Sequence, residues 1–134
     1  MADLKKKVSR IYKDFDMSFN VNATTGDLMK KLDDNAVKQS IKNLLMTERY
    51  ERPFQPEIGS GIYTMLFEPM DLLVAQSLKK QIHNMITNFE PRVEIREIQV
   101  NPIYDQNFYG ITLRYKILGV NEPQELQTKL TRLR

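Results

Sequence analysis

The most constraining feature of the chain is a change of hydrophobic period at a single proline. Up to Phe89, apolar side chains recur with helical spacing: Ala75, Leu78, Ile82, Met85, Ile86 and Phe89 share one face, while Gln76, Lys79, Lys80, His83 and Asn84 fall elsewhere. After Arg92 the repeat is two, with Val93 and Ile95 in one phase and Ile98 and Val100 in the other. Pro91 forces the break, because a proline drives the residue before it out of the α region. The pattern predicts a helix over 71–89, roughly 28 Å long at 1.5 Å per residue and capped by Asp71. A strand with a bulge near Glu97 follows it.

The other elements are placed around this junction. Asp33, Asp34 and Asn35 offer capping oxygens ahead of Val37, Ile41, Leu44 and Leu45, so a first helix is expected over 34–47. From Arg49 to Gly61, two prolines and two glycines exclude regular structure and predict a rigid crossover. Ile62, Met65, Leu66 and Phe67 fit a short helical turn ended by Pro69. Pro102–Asn107 reads as a turn, and Ile111, Leu113, Tyr115 and Ile117 as the second strand of an antiparallel hairpin. In the tail, Leu126, Leu130 and Leu133 fit a helix, and Leu126, Thr128 and Leu130 fit a strand. Near the start, Phe15, Met17 and Phe19 alternate with Asp14, Asp16 and Ser18, which predicts an extended arm closed by the turn formers of Asn22–Asp27.

Composition and charge narrow the function classes. At 134 residues with 41% hydrophobic and 28% charged side chains, the chain is expected to fold as one globular domain with a modest core. The net charge of +3 is uneven: residues 1–13, with Lys5, Lys6, Lys7, Arg10 and Lys13, hold +4, residues 14–121 hold −2, and the tail holds +1. A nucleic-acid groove binder would concentrate positive charge on its folded face, so the excess points to an arm that meets nucleic acid, anionic lipid or an acidic protein patch. With no cysteine and one histidine, His83, on the polar side of a helix, neither a disulfide framework nor a metal site is expected. Gly59-Ser60-Gly61 lacks the strand and lysine of a phosphate loop, and no cofactor is implied. There is no long apolar window and no signal-peptide core, so a soluble protein made in a cytoplasm is expected.

Catalytic chemistry finds little support. Paired acids such as Glu48 with Glu51, or Glu57 with Glu68, could in principle cleave a glycosidic bond. The chain has no tryptophan, and its aromatics do not gather into a sugar platform.

The polar feature that stands out is Glu90-Pro91-Arg92. A glutamate at a helix C-terminus meets the negative end of the macrodipole, so a cation is expected beside it. Proline holds the intervening backbone extended, which puts Glu90 and Arg92 on the same side. Two readings stay open. The pair is a two-headed tip that engages a partner, with Arg92 making bidentate contacts, or Arg92 pairs with Glu90 or another internal acid and locks the turn.

Three runs together resemble a known family: Arg52-Pro53-Phe54-Gln55-Pro56-Glu57-Ile58-Gly59, then Leu66-Phe67-Glu68 before the long helix, then Asn88-Phe89-Glu90-Pro91-Arg92-Val93 after it. With the arm Asp14-Phe15-Asp16-Met17-Ser18-Phe19, they are similar in order and spacing to the small baseplate wedge protein of contractile-tailed, T-even-like bacteriophages. That family includes a baseplate subunit of the type VI secretion system. The resemblance implies a structural role in the virion tail baseplate, with assembly in the host cytoplasm. It implies that Glu90, Pro91 and Arg92 dock on a core bundle of larger wedge proteins. It further implies that the strands near Val93–Val100 and Tyr109–Leu118 accept strands from tail-sheath subunits, and it favours a strand for the tail. No small-molecule substrate, cofactor or membrane is implied, and nucleic acid is disfavoured.

The expected architecture is therefore α+β: two main helices on a small antiparallel sheet, made of a hairpin plus a C-terminal strand, with an extended N-terminal arm. Residues 1–22 form the basic arm and residues 23–134 a single baseplate wedge domain. The expected function is a baseplate wedge component that nucleates sheath assembly, with a peptidoglycan-cleaving, lysozyme-like hydrolase as the alternative.

Overall fold

A computed structural model describes residues 12–132. In chain order the elements are β1 (Lys13–Phe15), β2 (Lys30–Leu32), α1 (Asp34–Met46), α2 (Ile62–Leu66), α3 (Leu72–Phe89), β3 (Val93–Ile103), β4 (Phe108–Ile117) and β5 (Pro123–Thr131). Two antiparallel sheets result, one of β1 and β2 and one in the order β3-β4-β5.

The core is the layer between the helices and the larger sheet. Val37, Ile41, Leu44 and Leu45 from α1 meet Ala75, Leu78, Ile82, Met85 and Ile86 from α3, all at the positions their helical spacing selects. Beneath them lie Ile98 of β3, Ile111, Leu113, Tyr115 and Ile117 of β4, and Leu126 and Leu130 of β5. Each fully buried Ile or Leu contributes about 1.5–3 kcal/mol relative to exposure, so this layer holds the fold together. Asp71 caps α3 as expected, its Oδ1 accepting from the Leu72 N–H at 2.6 Å. Such a cap stabilises a helix by about 1 kcal/mol.

The sheet departs from its sequence reading in two places. β3 runs on through Pro102 to Ile103, into the stretch expected as a turn. It is an edge strand, where a proline's missing N–H costs no ladder bond. The reversal is a single 3₁₀ turn over Tyr104–Gln106. Second, β4 is the central strand, so the open edges belong to β3 and β5 and not to both strands of the β3–β4 hairpin. The tail is a strand, as the resemblance favours: Gln127 pairs with Thr112 and Leu130 with Tyr109. Leu126 and Leu130 are four apart, a spacing that lands on one face in either a strand or a helix, which is why the sequence fits both. The bulge falls where expected, between Ile95 and Glu97.

The N-terminal region is a hairpin base. β1 pairs with β2 in the register Asp14 to Lys31, and an isolated bridge joins Val21 to Leu28. The alternation of Phe15, Met17 and Phe19 does not give one long extended run. The chain turns at Asp16, where the Phe19 N–H donates to the Asp16 carbonyl at 3.0 Å, and Phe19 takes a φ of 52°. The apolar side of the alternation is exposed, while Asp14 and Asp16 are partly covered. Gln39 of α1 ties this hairpin down, its Nε2 donating to the Phe15 carbonyl at 3.0 Å. The lysines and arginine before Tyr12 that carry the basic excess lie outside the described residues, as does Leu133.

Candidate functional site

At the end of α3 the Glu90 N–H still donates to the Ile86 carbonyl at 2.9 Å, and Pro91 then turns the chain into β3. The turn is tight: the Val93 N–H donates back to the Glu90 carbonyl at 3.2 Å. Glu90 points inward and is 2% exposed. Its carboxylate meets three donors. Ser40 Oγ of α1 donates to Oε2 at 2.5 Å, Arg92 Nη2 donates to the same oxygen at 2.7 Å, and Arg92 Nε donates to Oε1 at 2.5 Å. The cation required at the negative end of α3 is thus Arg92, and the pair is bidentate, the stronger form of such a contact.

Glu90 and Arg92 do share a side, but across a turn centred on Pro91 and Arg92 and not along the expected extended segment. The tip is not two-headed, however, because its acidic head is buried and only the basic head reaches the surface. The Arg92 side chain remains 29% exposed. Its guanidinium lies over the Tyr12 ring, 5.2 Å from the centroid, a cation–π distance. Tyr12 is fixed in turn, its N–H donating to Asp33 Oδ1 at 3.2 Å and its hydroxyl to the Leu118 carbonyl at 3.4 Å. The Leu118 N–H donates to the Arg92 carbonyl at 2.9 Å. Among the described residues nothing accepts from Arg92 Nη1, and part of the guanidinium side chain is exposed.

The electrostatics agree with this geometry. Burial alone would raise the Glu90 carboxyl, but the hydrogen bonds from Arg92 and Ser40, with the Arg92 charge, outweigh it and hold the group below its ordinary value. Arg92 is shifted upward, first by its hydrogen bonds to Glu90 and further by the charges of Glu90 and Asp14, against the opposing effect of burial. Both groups are charged at neutral pH. The arrangement can offer hydrogen-bond donors and one positive charge to a carboxylate or carbonyl.

Sequence reasoning found Glu90, Pro91 and Arg92 but missed Ser40 and Tyr12. Ser40 carries a faint signal, since it lies three residues after Val37 and one before Ile41, at the margin of the buried face of α1. Tyr12 carries none, because its place under Arg92 depends on the β1–β2 pairing. Of the acids weighed as hydrolytic pairs, the Glu51 carboxylate accepts the Glu48 N–H at 2.9 Å, and among the described residues nothing donates to the buried Oε2 of Glu48. Among the described residues no group of three His, Cys, Asp or Glu could hold a metal ion, and no helix is long and apolar enough to cross a membrane.

Comparison with known proteins places these features in context. The sequence profile of a family described as baseplate wedge protein gp25 matches residues 32–122. Baseplate wedge protein gp25 of Enterobacteria phage T4 is 28% identical over 127 residues, covering 95% of this chain and 91% of the relative. Among solved structures, a subunit of the anti-feeding prophage baseplate superposes with a TM-score of 0.64 at 19% identity, covering 91% of this chain and 86% of its own. A Geobacter sulfurreducens protein provisionally named a tail lysozyme superposes with a TM-score of 0.69 at 21% identity, over 73% of this chain and 89% of its own. A subunit of the postcontracted pyocin R2 baseplate does so with a TM-score of 0.53 at 17% identity, over 84% and 96%. At such identities these structural likenesses speak to the fold alone.

Proposed function

The chain belongs to the baseplate wedge protein gp25 family, and on that premise we propose that it docks on the larger wedge proteins through the Glu90-Pro91-Arg92 joint. It is a structural component of the contractile tail baseplate. The observation that carries the docking reading is the state of Arg92. A guanidinium clamped from behind by a buried carboxylate and backed by Tyr12 has already lost the rotamer freedom that a flexible arginine gives up on binding. That loss costs about 0.5–1.5 kcal/mol for a rotamer-rich side chain. Its Nη1, which no described residue accepts from, fits a carboxylate or helix-end carbonyls on a helical partner. In this reading Glu90 is the anchor and Arg92 the contact.

The same reading gives the sheet a role in starting the tail sheath. Open edges of β3 and β5 present unpaired backbone groups, which a strand from a sheath subunit can complete. Assembly would take place in the host cytoplasm before the tail is finished.

The docking reading is tested by co-purifying the tagged chain with the wedge proteins of its source, comparing wild type with the Glu90→Ala, Arg92→Ala double variant. Wild type is expected to retain the large wedge subunits and the double variant to lose them, with matching circular dichroism. Equal retention by a folded double variant would dispose of the joint as the docking element.

A further inference from the structure

The loop from Glu48 to Gly59 is the proline-rich crossover of the sequence, and the joint at Arg92 makes no use of it. It is closed at its neck, where the Ser60 N–H donates to the Thr47 carbonyl at 2.8 Å, and again across its middle, where the Tyr50 N–H donates to the Pro56 carbonyl at 2.9 Å. Two further backbone bonds, Gln55 to Arg52 at 3.2 Å and Ile58 to Gln55 at 3.1 Å, set the tip. Gly59 packs so closely under the neck that a Cβ there would stand 2.6 Å from the Glu48 carbonyl. This is a fixed platform. On it Phe54 is 97% exposed and Tyr50 81% exposed. No contact within the fold accounts for a phenylalanine held out in this way.

We propose that this loop is a second docking element of the baseplate, in which Phe54 enters an apolar pocket with an acidic rim on a different baseplate subunit. The proposal rests on family membership and goes beyond the docking role of Arg92. An aromatic side chain presented by a rigid loop has the properties of an interface hot spot: large apolar area and little freedom left to lose. The acidic rim follows from the charges around it. Arg52, two positions away, and Arg49 at the neck make no ion pair among the described residues, whereas the Glu51 carboxylate is turned back onto the Glu48 N–H. Behind the loop a cleft of about 410 Å³ brings Arg49 together with Gln81, Asn84 and Asn88 of α3, against the single acid Glu57. A carboxylate of the partner can enter there while Phe54 is seated.

Charge also argues against a second copy of this chain as the occupant. One apolar cleft of this chain holds Ile95 and Ile98, and its rim carries Lys79, Lys80, His83 and Arg96 beside Glu97. Those cations would face Arg49 and Arg52.

The test uses the full chain assembled with purified wedge proteins of its source. With Phe54 replaced by the photoreactive analogue p-benzoylphenylalanine, irradiation is expected to join the chain to a different baseplate subunit at an acid-flanked apolar segment. The same analogue replacing His83 is expected to give no such adduct. In binding measurements Phe54→Ala is expected to lower affinity for the wedge complex at least tenfold with an unchanged melting temperature, and Phe54→Leu to restore part of it. An adduct between two copies of this chain, no adduct in an assembled complex, or wild-type affinity for Phe54→Ala would each overturn the proposal. Arg92→Lys separates the two readings. Full binding by Arg92→Lys with loss in Phe54→Ala would remove the joint and keep the loop, and the reverse pattern would remove the loop and keep the joint.

Discussion

Two proline-stiffened segments leave the helices of this protein, and they treat their side chains in opposite ways. At the end of α3, Pro91 separates two charged residues, and the fold turns the acid inward to 2% exposure. After α1, Pro53 and Pro56 bracket Phe54, and the fold turns the aromatic outward to 97% exposure. Polarity by itself would predict the reverse. The difference lies in the partners available. Glu90 finds Ser40 across the core boundary and Arg92 two residues on, so its desolvation is offset by three hydrogen bonds. The loop packs Ile58 against the core, but its tip is held by its own backbone bonds and leaves Phe54 exposed.

The comparison is broken most severely by taking the partner from the buried acid. Arg92→Ala leaves the Glu90 carboxylate buried with Ser40 alone. Removing one partner of a buried pair costs about 3–5 kcal/mol, and with Arg92 itself 29% exposed a loss of about 2–3 kcal/mol is expected. A fall in melting temperature of roughly 6–12 °C should follow. The tip is therefore not a neutral surface site, as an exposed junction would be. Removing both charges in the Glu90→Ala, Arg92→Ala variant should cost less than the sum of the single changes. Additive melting shifts would mean that the two residues do not act as a pair.

The loop has its own internal anchor. Gly59→Ala forces a Cβ to within 2.6 Å of the Glu48 carbonyl, and such overpacking costs about 1–3 kcal/mol. Chemical denaturation should show the loss. An unchanged midpoint would mean that the neck is loose and the platform is not rigid.

Acid should act on the joint. The folded-state pKa of Glu90 lies below its ordinary value, so its stabilising contribution is complete above that value and is lost as pH falls through the folded one. Stability measured from pH 7 down to pH 3 should fall more steeply for wild type than for Glu90→Gln. Asp16, Asp27 and Glu125, which are also held low, are common to both proteins and cancel in the difference. Parallel slopes would show that Glu90 is not held low by its neighbours. At the smallest end, Phe54→Ala should leave stability within about 0.5 kcal/mol of wild type; a larger loss in thermal melts would place Phe54 in a contact within the fold.

Much of the fold is legible in the sequence because its signals are local. The 3.6-residue repeat through Phe89, the Asp71 cap, the bulge near Glu97 and the alternation from Ile111 to Ile117 each depend on neighbours along the chain. What was not legible depends on distant pairing. The central place of β4, the inward turn of Glu90 toward Ser40, fifty positions away in sequence, and the stacking of Tyr12 on Arg92 follow from which elements meet. The exposed apolar side of the β1 alternation belongs to the same class, because period two identifies a strand and says nothing of which face is covered. Spacing and charge singled out Glu90, Pro91 and Arg92; that Glu90 is buried against Ser40 and Arg92 required coordinates.

The docking claim is tested most directly by Arg92→Lys, which keeps a positive charge beside Glu90 but replaces the planar guanidinium, with its fork on Glu90 and its Nη1 edge, by a single ammonium. Affinity of the purified wedge complex for wild type and for Arg92→Lys would be measured by titration calorimetry, with thermal melts alongside. A drop of at least tenfold with melting temperatures within a few degrees is the predicted result. Equal affinity in a folded Arg92→Lys protein would contradict the claim that the outward edge of Arg92 is what the baseplate recognises.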